Sequence, residues 1–279
     1  MMKKMTLGFA AAALISAGAV QADPKADLEA FQGYYKKIFP EVPLEAYNDG
    51  IYAIPAGQER AENWKLLLDF PPYDDDVAKG EEMWNAPLKS GKSLADCFKD
   101  KPPATQYPYA KDGKVITLEA DINACLKANG EEPIKDLKKG KMALLEVAFR
   151  KQFNGKKMAV DLSDPAMQKA YEEGKQFYWT KRGQLNFSCA NCHIHSAGKK
   201  IRGDTLGAGL GQGTGFPVWR QKWNNKGKPW GTLHRRYGGC NKQVRAQPLK
   251  PQSHQYIALE VYQAYMNTGV PLKVPSLRQ

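Results

Sequence analysis

The chain has 279 residues, with 41 Lys and Arg against 29 Asp and Glu, and a formal net charge of +12. This length suits one large domain or two small ones, and a basic surface attracts anions and acidic protein partners. Nucleic acid is the competing interpretation of a basic chain, but no recognised binding motif accompanies the charge, so we expect no nucleic-acid partner.

Residues 1–22 have the order of a cleaved secretory signal peptide. Lys3 and Lys4 precede an apolar run over residues 7–15, and small residues then lead to Ala22, after which we expect cleavage. The run is too short to cross a bilayer, and no later segment has the pattern of a membrane span. The sequence therefore predicts a periplasmic protein, whose charge falls to +10 once Lys3 and Lys4 are removed.

Residues 23–73 are predicted to form an N-terminal helical extension. Apolar side chains recur at near-helical spacing over residues 25–39, and Pro40 ends the pattern. The segment over residues 41–73 is rich in Pro, Gly and aromatic residues. We expect it to wrap irregularly around the rest of the chain, with one short helix near residues 60–68.

From Asp74 onward the chain carries two similar series of features, which predict a domain over residues 74–160 and another over residues 161–279. The first series contains Asp74, Gly80, Cys97, residues 118–125 and a helix over residues 141–153 with Leu145 and Glu146. The second contains Asp164, Gly174, Cys189, Cys192, residues 233–240 and a helix over residues 254–266 with Leu259 and Glu260. The predicted fold is mainly α, with two homologous modules; a coincidence of helical patterns is the alternative.

Cys189, Cys192 and His193 form a Cys-x-x-Cys-His motif. In this pattern both thiols add to the vinyl groups of a porphyrin and the imidazole binds one face of the iron, so the motif predicts one covalently attached haem c. A tight disulfide or half of a zinc site is the alternative, but zinc needs a second ligand pair at comparable spacing, and none is present.

A glycine-dense segment over residues 198–230 follows the motif. We expect its glycines to let the backbone approach the flat macrocycle, and its aromatic residues to cover the haem faces. These aromatic residues are Phe216, Trp219, Trp223 and Trp230. A phosphate-binding loop over residues 207–215 is the rival interpretation, but no Lys-Ser or Lys-Thr pair follows it.

The other three cysteines are unequally distributed. The first module lacks the haem motif and keeps Cys97 and Cys125, the latter being the counterpart of Cys240. We interpret it as a module that lost its haem and joined Cys97 to Cys125; the alternative is two buried thiols, which export disfavours. Cys240 then remains as an odd thiol.

Five side chains are candidates for the second axial ligand of the iron: Met266, His195, His234, His254 and Cys240. The usual fate of Met266 is core packing, and His195 is too close to the attachment motif to reach the opposite face. We expect His234 and His254 to lie at the surface or outside the ligand sphere.

Cys240 follows Gly238 and Gly239, which we expect to let the backbone turn tightly and bring the sulfur to the ring. Arg235 and Arg236 would lower the pKa of its thiol and grip an oxyanion. On these residues alone, an inert buried cysteine beside a basic patch is an equal alternative.

The second module, with its Cys-x-x-Cys-His motif and the segment Arg-Tyr-Gly-Gly-Cys-Asn over residues 236–241, resembles the SoxA family, catalytic c-type cytochrome subunits of SoxAX complexes. The resemblance implies tandem cytochrome c-like domains. It implies that Cys240 is the distal haem ligand, found as a persulfide in the family, and that Arg236 faces the substrate. It also assigns the chain to the single-haem branch, in which cysteines such as Cys97 and Cys125 form a disulfide.

The implied activity is that of an L-cysteine S-thiosulfotransferase, which joins thiosulfate oxidatively to a cysteine of a SoxYZ-like carrier protein. Electrons would pass to haem and on to a SoxX-like small cytochrome c in a heterodimer. Arg236 is the leading anion ligand, with Arg235 and Arg245 as weaker candidates. The alternatives are a non-catalytic electron-transfer cytochrome, with Met266 or a histidine as ligand, and a thiosulfate dehydrogenase that forms tetrathionate.

Overall fold

A computed structural model of the chain describes residues 23–278; the predicted signal peptide lies outside this range. The helices of the described range are α1 (Pro24–Ile38), α2 (Ala61–Asp69), α3 (Asp74–Asn85), α4 (Leu94–Cys97), α5 (Leu118–Ala128), α6 (Lys141–Arg150), α7 (Pro165–Trp179), α8 (Cys189–His193), α9 (Gln221–Asn224), α10 (Leu233–Gln243) and α11 (His254–Met266). The strands are β1 (Tyr109–Lys111), β2 (Lys114–Ile116), β3 (Lys200–Ile201), β4 (Asp204–Thr205), β5 (Val218–Arg220), β6 (Trp230–Gly231) and β7 (Ser276–Arg278). The chain is thus about half helical, with three small sheets.

The N-terminal extension covers the second half of the chain. Helix α1 begins after Asp23, whose carboxylate accepts hydrogen bonds from the first-turn N–H groups, and it buries Phe31 and Tyr35. Two 3₁₀ helices, Leu44–Tyr52 and Pro55–Arg60, lead into α2. Trp64 of α2 donates a hydrogen bond from Nε1 to the carbonyl of Leu277 at 3.1 Å, which ties the extension to the C-terminal strand β7.

The same helix pair occurs twice. Helix α3 packs on α6 and α7 packs on α11, and in each pair a glycine allows the close approach. A Cβ at Gly80 would lie 2.7 Å from the carbonyl oxygen of Leu144, and a Cβ at Gly174 would lie 2.0 Å from that of Ala258. In each pair, the missing side chain of a glycine in the first helix therefore leaves room for the backbone of the second helix.

The shorter helices correspond as well. Helices α4 and α8 both begin with a capping box, formed by Ser93 with Asp96 and by Ser188 with Asn191. Helices α5 and α10 each span 11 residues and carry their cysteine at the eighth position. The helices that carry Cys97 and Cys192 thus have the same type of N-cap, and those that carry Cys125 and Cys240 have the same length.

The glycines of the glycine-rich segment fall into two groups. A Cβ at Gly211 would lie 2.0 Å from the carbonyl oxygen of Tyr47, and one at Gly215 would lie 2.1 Å from the Ser276 hydroxyl, so these two fit the segment against the N-terminal extension and β7. Gly203 and Gly207 instead line the large cavity of the candidate site. For them the approach of the backbone to a macrocycle stays a prediction.

The strand β5 lies between β6, which is antiparallel to it, and β7, which is parallel. This sheet gathers the end of the glycine-rich segment and the C-terminus on one side of α10. In residues 23–278 no helix is long and apolar enough to span a membrane.

Candidate functional site

A cavity of about 440 Å³ lies between helix α8, the glycine-rich segment, α10 and α11. Cys189, Cys192, His193 and Cys240 all face it. A volume of this size is typical of cofactor sites. The tertiary structure therefore brings the attachment motif and the odd thiol to one cavity.

The local sequence shapes helix α8 for two attachment thiols. The Ser188 hydroxyl accepts the N–H of Asn191 at 3.1 Å, and the Asn191 side chain accepts the N–H of Ser188 at 3.0 Å. This capping box fixes the first turn, so Cys189 and Cys192 lie one turn apart and His193 ends the helix.

The ring of His193 is oriented through Nδ1. This nitrogen lies 3.0 Å from the carbonyl oxygen of Gly207 and 2.7 Å from the side-chain amide nitrogen of Gln212. Both contacts involve Nδ1, so Nε2 is the nitrogen available to bind a metal. Tyr35 supports the same turn, since its hydroxyl donates to the His193 carbonyl at 2.5 Å and accepts the Gly209 N–H at 2.9 Å.

Cys240 differs electrostatically from the two attachment cysteines. Burial by itself would raise the pKa of its thiol, but Arg236, a hydrogen bond with His193 and Arg220 together lower that pKa from 9.0 to about 7. Burial raises the pKa of Cys189 to about 12 and also raises that of Cys192. Cys240 is therefore the thiol of the cavity that ionises near neutral pH.

The two glycines before Cys240 do not form the tight turn expected from the sequence. Gly238 and Gly239 lie inside helix α10, which is continuous from Leu233 to Gln243. The neighbouring hydrogen bonds of the helix outweigh the low helix propensity of glycine. Cys240 reaches the cavity because it lies on the face of α10 that lines the cavity.

The other four candidate axial ligands lie elsewhere. Met266 is in the core, where its sulfur accepts from the Tyr171 hydroxyl at 3.8 Å, and the ring of His195 packs edge-on against Trp179. His254 is at the exposed start of α11, where it pairs with Glu173. His234 is 1% exposed and does not line this cavity, so of the two positions expected for it the surface position was wrong.

Among the arginines named from the sequence, Arg236 lines the cavity. Arg235 turns the other way: its Cζ lies 3.9 Å from the ring centroid of Trp223, and it donates to the carbonyls of Lys228 and Trp230. Arg245 is exposed outside the cavity. Adjacent residues of one helix point about 100° apart, so only one of the pair at 235 and 236 reaches the site.

Five further arginines line the cavity, and the sequence did not single them out: Arg60, Arg182, Arg202, Arg220 and Arg278. Arg220 of β5 and Arg278 of β7 lie on adjacent strands, at paired positions of the sheet. Burial lowers the pKa of Arg220 to about 10, and the neighbouring charges of Arg236 and Arg278 contribute to that lowering. Guanidinium groups that repel one another around one cavity form a site for an anion. The sequence feature that could have identified Arg220 is its position as a basic residue in a short apolar strand.

Among the four aromatic residues expected to cover the haem, Phe216 lines the cavity. Trp219 and Trp230 are buried in the sheet, and Trp223 stacks under Arg235. The prediction was therefore wrong for these three residues, because the sheet and Arg235 provide their packing partners.

At the equivalent place in the first half of the chain, Cys97 and Cys125 form a disulfide, with 6.1 Å between their Cα atoms. Phe98 follows Cys97 as His193 follows Cys192. Its ring packs against those of Trp84 and Phe149, at centroid distances of 4.8 and 4.9 Å. Aromatic side chains and a cross-link therefore occupy the core there.

The residues around the large cavity fit a covalently bound haem. Two thiols lie one helical turn apart, the adjacent imidazole has Nε2 available to bind a metal, and the cavity is walled by apolar side chains such as Phe216 and Leu259. The fold and the site define a c-type cytochrome whose cavity also contains an acidic thiol.

Comparisons with known proteins agree. A family model described as the SoxA/TsdA cytochrome c domain matches residues 79–158. The L-cysteine S-thiosulfotransferase subunit SoxA of Allochromatium vinosum is 41% identical over 284 residues, covering 98% of this chain and 99% of the relative. The protein of the same description from Chlorobaculum tepidum is 41% identical over 262 residues, covering 93% and 89%.

Among solved structures, SoxXA from P. pantotrophus matches with a TM-score of 0.67 and 30% identity, over 76% of this chain and 83% of that one. The chain therefore belongs to the SoxA family of L-cysteine S-thiosulfotransferase subunits. This confirms the resemblance found in the sequence motifs, and it favours the transferase over the two alternative functions.

Proposed function

We propose that the chain is the catalytic subunit of a periplasmic thiosulfotransferase, and that it couples thiosulfate to a cysteine of a SoxYZ-like carrier at the cavity of Cys240. The overall step converts a carrier thiol and thiosulfate into a carrier S-thiosulfonate, with release of one proton and two electrons. The observation that carries the proposal is the position of a low-pKa thiol together with Arg236, Arg220 and Arg278 in the cavity of the Cys-x-x-Cys-His motif.

In this proposal Cys189 and Cys192 would attach one haem c, and His193 through Nε2 and Cys240 would bind its iron. Cys240, as thiolate or persulfide, would also be the sulfur-handling nucleophile. The haem would supply an electron acceptor at the site, with a SoxX-like small cytochrome c as the partner in a heterodimer.

Arg236, Arg220 and Arg278 bind the anion in this site. They lie on α10, β5 and β7, so they approach from two sides of the cavity. Arginine suits a sulfonate-like group because its planar fork donates paired hydrogen bonds to two oxygens. Thiosulfate and the thiolate are both negative, so neutralising charge at the site lowers the repulsion between them.

We also propose that the chain consists of an extension over residues 23–73 and two tandem cytochrome c-like domains, over residues 74–160 and 161–279, of which the first has no haem. The repeated helix pairs and capping boxes support the tandem arrangement. The disulfide of Cys97 and Cys125, with Phe98 at the histidine position, supports the loss of haem from the first domain.

The test replaces Cys240 with Ala in the holoprotein and measures transfer of thiosulfate to a carrier cysteine by mass spectrometry of the carrier. We expect transfer to be lost while covalent haem is retained. Arg236→Ala should lower transfer at least tenfold, and Arg245→Ala, which removes the same charge from the surface, should leave it unchanged. Full transfer by Cys240→Ala would contradict the proposal, as would equal losses in the two arginine variants.

A further inference from the structure

Five buried ionisable side chains meet where the two halves of the chain pack together. Glu119 comes from α5, Glu146 and Arg150 from α6, His234 from α10 and Glu260 from α11, and none is more than 8% exposed. Side-chain atoms of Glu119, His234 and Glu260 lie within 4.8 Å of one another. We call these five residues the interdomain cluster.

The cluster joins equivalent positions of the two repeated arrangements. Glu119 and His234 are the second residues of α5 and α10, and Glu146 and Glu260 each follow a leucine in α6 and α11. Helices that are equivalent in the repeat therefore face each other through their ionisable residues.

His234 presents Nε2 to the carboxylates. The backbone N–H of Gln252 lies 3.0 Å from Nδ1, and Nε2 lies 3.0 Å from a carboxylate oxygen of Glu260, so Nε2 carries a proton. Burial alone would lower the pKa of His234, but Glu260 and Glu119 raise it above 6.5. A divalent cation does not fit here, because the nitrogen that faces the carboxylates has no free lone pair and Arg150 lines the same small cavity.

Three carboxylates face at most two cations, Arg150 and protonated His234. Full ionisation would therefore leave at least one uncompensated negative charge in the interior, which is very costly. Burial and then the charge of Glu260 raise the pKa of Glu119 to about 7, and burial and then Glu119 raise that of Glu146 well above 4.5. The cluster therefore holds protons that it exchanges near neutral pH.

The remaining titratable groups beside the cluster are tyrosines. Tyr107, from the segment before β1, lines the small cavity and donates from its hydroxyl to Asp121 at 2.7 Å. Tyr237 of α10 packs against His234 and hydrogen-bonds to Gln263. Both phenols have their pKa raised by burial, so neither competes for the proton near neutral pH.

One layer of side chains separates the interdomain cluster from the cavity of Cys240. Phe216 and Leu233 line both that cavity and the small cavity of about 20 Å³ beside the carboxylates. The ring of Tyr237, which lines the large cavity, lies 5.6 Å from the ring of His234. Charges interact strongly across such apolar layers, because little solvent is present to screen them.

We propose that the carboxylates of the interdomain cluster form a proton-binding site that takes up a proton when the haem in the neighbouring cavity is reduced and releases it on oxidation. Reduction adds one electron to the iron, and one proton on a carboxylate restores the local charge. The electron comes from the thiol and thiosulfate couple, and the proton comes from that thiol or from water. The inference depends on one part of the proposed function, namely that haem occupies this cavity.

The experiment measures the midpoint potential of the haem by spectroelectrochemistry from about pH 5 to about pH 9. In the wild-type holoprotein we expect the potential to fall as pH rises around neutrality, by up to about 59 mV per tenfold change in proton activity. Glu119→Gln should flatten this dependence, whereas Glu172→Gln, which changes an exposed carboxylate of α7, should keep it. A wild-type potential independent of pH, or an unchanged slope in Glu119→Gln, would overturn the proposal.

A second measurement needs no variant. The reduced-minus-oxidised infrared difference spectrum of the wild-type protein should show a gain in the C=O band of a protonated carboxylic acid, which shifts in D₂O. A spectrum without such a band would overturn the proposal. Covalent haem content, measured by absorbance after denaturation, separates this outcome from failure of haem binding itself.

Discussion

The contact between α7 and α11 depends on a glycine that leaves no room for a side chain. A Cβ at Gly174 would lie 2.0 Å from the Ala258 carbonyl oxygen and 2.8 Å from Cβ of Tyr262. Both distances are far inside the about 3.5 Å at which such contacts become favourable. Because the first obstacle is backbone in a hydrogen-bonded helix, Gly174→Ala must push the two helices apart.

We expect Gly174→Ala to lower the free energy of unfolding by about 3 kcal/mol, near the upper end of the range for overpacked cores. Gly80→Ala, whose Cβ would lie 2.7 Å from the Leu144 carbonyl oxygen, should cost about 1 kcal/mol. Gly33→Ala is the control, since it lies inside α1 with nothing within 4 Å. It should stabilise the protein by about 0.5–1 kcal/mol through helix propensity and a smaller loss of backbone entropy.

Urea unfolding of the holoprotein, followed by far-UV circular dichroism, measures all three variants. The order of stability should be Gly33→Ala, wild type, Gly80→Ala and Gly174→Ala, from highest to lowest. If Gly174→Ala were as stable as Gly33→Ala, the close helix contact would not exist in solution.

Two further predictions concern buried polar groups. Burial raises the pKa of Glu119 to about 7 in the folded protein, against 4.5 in the unfolded chain. The contribution of Glu119 to the free energy of unfolding is therefore fully present below about pH 4.5 and is lost as the pH rises to about 7. Over that range the free energy of unfolding of the wild type should fall by about 3 kcal/mol relative to that of Glu119→Gln. Urea unfolding at about pH 5 and about pH 8 measures this change. A difference between the two proteins that is the same at both pH values would contradict the reasoning. Tyr35→Phe removes the partner of two buried backbone groups and should cost about 2 kcal/mol, whereas Tyr34→Phe loses a single hydrogen bond and should cost about 0.5–1 kcal/mol. Thermal unfolding compares the two variants, and an equal loss would contradict the role given to Tyr35.

Much of the fold could be predicted because its signals are local. Apolar spacing over residues 25–39, ended by Pro40, predicts α1, which the structure has at Pro24–Ile38. The Cys-x-x-Cys-His motif is equally local, because haem attachment requires both thiols and the imidazole within one helical turn.

What the sequence could not show concerns long-range contacts. Gly211 and Gly215 pack against Tyr47 and Ser276, which are distant in sequence, so their spacing alone could not identify those neighbours. His234 is buried because α10 packs beside α11 and faces α5 of the other half. A single polar residue in a helix has no sequence signal for such a position.

The arginines of the cavity show the same difference between local sequence signals and long-range contacts. Arg235 and Arg236 are adjacent in the sequence, and both are plausible anion ligands from composition alone. The rotation of α10 about its axis sends one to the cavity and the other to Trp223. Arg220 and Arg278 are 58 positions apart in number and meet only because β5 and β7 pair in parallel.

The sequence by itself determined the helices, the attachment motif and the odd number of cysteines, since these follow from backbone periodicity and covalent chemistry over a few residues. The tertiary structure alone decided that Cys240 shares a cavity with His193, that Arg236, Arg220 and Arg278 line that cavity, and that buried carboxylates from both halves meet behind its wall. The reason is that burial and electrostatic coupling depend on which distant segments pack together. That choice depends on the packing of the whole chain and not on any short stretch of sequence.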